Sequence, residues 1–69
     1  MLNDAKTKYL YAFEDLFRKK CEGAGIHPAK WKIGMWSNAH MYYGMGTALE
    51  DAVAKWFEHV EKVEKSKKK

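Results

Sequence analysis

Four side chains in this sequence could serve as a nucleophile, a proton shuttle or a soft metal ligand: Cys21, His27, His40 and His59. Their spacing argues against each use. Zinc sites draw on closely spaced ligand pairs; Cys21 with His27 is not one, and there is no second cysteine to extend it. Cys21 falls on the apolar face of a predicted helix, where a small buried hydrophobe is the default role of a thiol. His59 shares a helix face with Lys55 and Lys62 and is expected in solvent, while His27-Pro28 is turn chemistry. Gly44-Met45-Gly46 leads into a helix whose N-terminus could hold an anion, but Glu50 and Asp51 occupy that first turn and repel one. There is no carboxylate pair on a rigid strand and no Gly-rich phosphate loop. The expectation is a protein that is not an enzyme, uses no cofactor or metal, and works by binding.

Two amphipathic helices are predicted to carry whatever surface does the binding. From about Asp4 to Glu22, the residues Tyr9, Leu10, Phe13, Leu16, Phe17 and Cys21 recur at the three-and-four spacing of one buried helical face. Asn3 or Asp4 can cap its start, and Gly23 or Gly25, with Pro28 beyond, can stop it. From Ala48 to about Lys65, Leu49, Val53, Trp56, Val60 and Val63 draw a second apolar seam, widened by Ala52 and Phe57. Thr47-Ala48-Leu49-Glu50 reads as a capping box at its start.

Between them, Trp31, Ile33 and Met35 alternate with Lys30, Lys32, Gly34 and Trp36, a period of two that predicts a strand. Ser37-Asn38 reads as a turn, and His40 to Met45 as the returning strand. A three-residue loop, Ser37 to Ala39, places Trp31, Ile33, Met35, Met41, Tyr43 and Met45 on one core face. The expected fold is therefore α+β: a two-layer α-β-β-α domain, an antiparallel hairpin with both helices on one side. Its opposite face would present Lys30, Lys32, Trp36, His40 and Tyr42, an aromatic patch with polar tips of the kind found at interfaces. These five are the candidate binding residues.

With 69 residues there is room for one domain, taken as 1–64 with a basic tail at 65–69. So small a domain is marginal alone, and the single Cys21 cannot form an internal disulfide. Three Trp, four Tyr and three Phe supply the core instead, and a second copy of the chain is the next expected support. The net charge is +4, yet residues 1–64 balance nine Lys or Arg with nine Asp or Glu. The excess lies in Lys65, Lys67, Lys68 and Lys69, and a neutral body favours a protein partner over a polyanion. The alternative is nucleic acid, stacked on Trp36 and Tyr42 with Lys30, Lys32 and the Arg18-Lys19-Lys20 cluster on the phosphates. The N-terminal residues form no apolar leader, and no apolar run approaches the ~20 residues of a membrane span. A lone cysteine suits a reducing compartment, so the cytoplasm is the expected location and no membrane partner is expected.

The run from Tyr43 to Ala52 is similar in outline to the close of double-stranded-RNA-binding domains, where Gly-x-Gly leads into a final helix. Here Glu50 and Asp51 replace the basic cluster those domains carry, so their activity is not carried over. In size and character the chain also resembles small single-domain phage proteins, including inhibitors of host defence such as anti-CRISPR proteins. That resemblance implies an inhibitor that occludes a host protein, while the open strand edges and the aromatic hairpin face point to a homodimer.

Overall fold

A computed structural model describes residues 4–67. They form α1 (Asp4–Ala24), a single 3₁₀ turn (Pro28–Trp31), α2 (Lys32–Gly44) and α3 (Leu49–Lys67). Among the described residues there is no strand. The hairpin expected between the two amphipathic helices is a third helix, and the α+β domain is instead an all-helical bundle. The possible cap Asn3 and the last two lysines lie outside the described residues; α3 itself continues through Lys67.

Two periods coexist in the middle segment, and burial decides between them. Trp31, Ile33 and Met35 alternate, but Met35, Ala39 and Tyr42 follow at four and three, straight through Ser37-Asn38. In the helix Met35 and Ala39 are fully buried, while Tyr42 stacks on Phe13 with centroids 6.3 Å apart and planes at 21°. A hairpin would have left two open sheet edges, whereas a helix satisfies its backbone internally. Asn38, whose residue type favours turns, is reconciled to the helix because its amide Nδ2 donates to the carbonyl of Gly34 at 2.8 Å. The predicted core face dissolves as a result. Met35 alone of its six members is buried; Ile33 is 88% exposed, Met41 47% and Met45 67%.

The flanking helices behave as their periodicity predicts. Leu10, Phe13, Phe17 and Cys21 of α1 meet Ala52, Val53, Trp56 and Val60 of α3 in the core. Phe17 touches both Trp56 and Phe57 edgewise or tilted, at 6.0 and 6.3 Å. The helices α1 and α2 end in the same way. Gly25 (φ 72°) and Gly46 (φ 75°) take the left-handed conformation that needs no Cβ. The amides of Gly25 and Ile26 then return to the carbonyls of Glu22 and Cys21, and those of Gly46 and Thr47 to Tyr43 and Tyr42. Two side-chain bonds lock the ends of the bundle. Tyr9 donates its hydroxyl to the Thr47 carbonyl at 2.8 Å, and the Trp31 indole N–H donates to Glu64 at 2.8 Å.

Candidate functional site

The helix α2 differs in kind from its neighbours. Nine of the 21 residues of α1 and nine of the 19 of α3 are charged, but α2 carries one charge in 13 residues, at Lys32. A helix with so little charge is ordinarily covered on most sides. Here it is covered on one. Inward, Gly34 lets α2 approach α3 so closely that a Cβ there would lie 3.3 Å from the Trp56 ring. Outward, Ile33, Ser37 and Met41 stand one above the other at intervals of four, all exposed. His40 flanks this line in solvent. Half-buried Trp36 closes one edge, and the exposed ring of Tyr11 meets it at right angles, 5.8 Å away.

The five candidate residues are not brought together. Trp36 and His40, four apart, share one side of α2, with Lys32 one turn before them. Tyr42 is on the opposite side, half-buried against Phe13. Lys30 lies in the 3₁₀ turn and reaches the other way, with its Nζ 3.6 Å from the Glu64 carboxylate. The flat face of Trp36, His40 and Tyr42 beside two lysines is therefore not formed, because helical geometry separates residues that alternation would align. Ile33 and Met41 are surface residues that strand periodicity conceals, and Tyr11 of α1 is exposed beside Trp36. A usable signal is present: the charge density collapses between Trp31 and Gly46, which marks a segment that water alone does not face.

Groups capable of chemistry remain apart. Among the described residues, no three His, Cys, Asp or Glu side chains converge as a metal site would require. Cys21 is fully buried, and burial, reinforced by the charge of Glu64, pushes its thiol up to about 11. It stays protonated at neutral pH and is a poor nucleophile. An open hollow of about 550 Å³ runs beside it, lined by Arg18, Lys19, His27 and Asp15 among others. Its charges oppose one another; Lys19 pairs with Asp15 at 3.5 Å. A second hollow of about 360 Å³, between Arg18, Glu14, Met35 and Lys32, adjoins it. Among the described residues, no helix is long and apolar enough to cross a membrane. In comparisons with protein-family models, curated proteins and solved structures, nothing matches this chain.

Proposed function

We propose that this protein is a non-enzymatic protein-binding domain whose binding face is the outer side of α2. The observation that carries this reading is the exposure of Ile33 on a helix with a single charge. An isolated apolar side chain in solvent is ordinary, but Ile33 shares one row of α2 with Ser37 and Met41, beside half-buried Trp36 and exposed Tyr11. Interfaces are enriched in aromatic residues and methionine and depleted of charge at their centre. A small helical body with one such face suits a protein that works by docking that face on another protein chain. Ion pairing of Lys19 and Lys30 with carboxylates supports a protein partner over a nucleic acid. A single cysteine, which cannot form an internal disulfide, suits the reducing cytoplasm.

The test is a photoreactive benzophenone side chain placed at Ile33, compared with one at Glu58, exposed on α3. Irradiation in cells should give protein adducts from position 33 well above those from position 58. Equal yields from the two positions would remove the reading.

A further inference from the structure

The face of α2 is self-complementary in a way that names its occupant. Ile33 and Met41 lie at equal distances on either side of Ser37, four residues each way. Two α2 helices packed antiparallel about a two-fold axis at Ser37 would set Ile33 of each copy against Met41 of the other. The small Ser37 at the centre permits close approach, and Trp36 and Tyr11 widen the contact. Charge is arranged the same way. Exposed Lys32 stands at the N-terminal end of α2, where the helix dipole disfavours a cation, and no basic residue offsets the C-terminal end. Just beyond that C-terminal end lie exposed Glu50 and Asp51. Antiparallel pairing brings Lys32 of each copy toward Glu50 and Asp51 of the other, twice. Parallel pairing would place like beside like.

We infer that this protein forms a two-fold dimer through antiparallel α2 helices centred on Ser37. The inference rests on the α2 face being a protein-binding surface and commits it to a second copy of the chain. Closed two-fold pairing is the commonest form of self-association, and it removes from water the apolar surface the monomer leaves bare.

Sedimentation of the full chain should give twice the 8.1 kDa of one copy, and Ile33→Glu should return it to one. Ile33 is almost fully exposed within the subunit, so that variant keeps its helical circular dichroism. Cross-linking tests the register. Facing backbones of packed helices come within about 4.4–6.8 Å, the reach of a disulfide, so Ser37→Cys should form disulfide-linked dimers under mild oxidation. Ile33→Cys alone should not, because its two copies would lie about 12 Å apart along the helices, but mixed with Met41→Cys it should cross-link. Wild type, whose Cys21 is buried, is the control. Lys32→Glu should weaken the dimer at least several-fold at low salt, and adding Glu50→Lys and Asp51→Lys to it should restore association. A single-copy mass at several hundred micromolar, or a dimer that Ser37→Cys fails to link, would overturn the inference. Foreign adducts at position 33 on a monomeric chain would overturn the dimer and leave the binding face standing; absence of any adduct there would overturn both.

Discussion

Cys21, Tyr9 and Trp56 show how single groups set the limits of this core. Cys21 and Tyr9 both have pKa values pushed upward, chiefly by burial; Glu64 adds to the first and Tyr42 to the second. A raised pKa means the folded state holds the proton more tightly than the unfolded one. The associated stability is complete below the unfolded thiol value of 9.0 and is lost as pH climbs toward about 11. Melting temperatures should therefore fall steeply across pH 9–11, and the slope should be shallower in Cys21→Ala. An identical slope would show that Cys21 contributes nothing to it. Trp56 is 4% exposed, yet its indole N–H is buried with no hydrogen-bond partner among the described residues, which costs about 1–3 kcal/mol. Trp56→Phe removes that cost along with some volume, and the two effects oppose each other. The variant should unfold within about 1 kcal/mol of wild type in denaturant titration, by offset of that unpaired-donor cost against lost packing. A loss as large as that of Trp56→Ala would mean that the N–H is satisfied.

Among the elements, α1 and α3 were legible because three-and-four spacing over about twenty residues has no competing interpretation. Of the predicted faces, Leu10, Phe13, Phe17 and Cys21 on α1 and Val53, Trp56 and Val60 on α3 are buried, while Tyr9, Leu16, Leu49 and Val63 are half-buried. The middle segment was not legible, for a physical reason. Three alternating apolar residues satisfy a strand as well as a helix, and Ser37-Asn38 suits a turn unless Asn38 can bond back to Gly34. What selects the helix is nonlocal: Ala39 and Gly34 allow α2 to nestle against aromatic side chains that belong to the other two helices. The candidate site inherited that error. Register assigned Tyr42 to the surface and Ile33 to the core, and the structure reverses both. The stop of α1 was legible, since a glycine between α1 and Pro28 is a natural terminator. That of α2 was not, because Gly46, which ends it by the same left-handed geometry as Gly25, reads as the end of a strand. Gly25→Ala and Gly46→Ala should each destabilise by about 1–2 kcal/mol, the cost of a Cβ in that conformation. A Cβ at either position would meet no atom within 4 Å, so no clash adds to that cost. Chemical denaturation reads this directly, and an unchanged midpoint would show that the turn relaxes to another conformation.

For the molecule as a whole, a chain measuring 47 × 19 × 18 Å has little interior, and stability is concentrated in few side chains. Trp56 touches Phe17 from α1 and Trp31 from the 3₁₀ turn, at 6.0 and 5.9 Å, so it joins three elements. Its removal as Trp56→Ala should cost about 3–5 kcal/mol, most of the stability of so small a domain, and leave the monomer largely unfolded. That narrow margin gives self-association a thermodynamic role as well as a binding one. A dimer is a ligand for its own folded state, so its melting temperature must rise with concentration, whereas that of a monomer must not. Wild type melted at ten and at several hundred micromolar should show the rise, and Ile33→Glu should melt at one temperature throughout. Diluted until sedimentation shows a single copy, wild type and Ile33→Glu should melt together, because Ile33 is 88% exposed within a single copy. Separate curves in that limit would mean that Ile33 supports the subunit itself. A wild-type melt independent of concentration would mean that α2 meets no second copy, and its bare face would belong to a foreign protein alone.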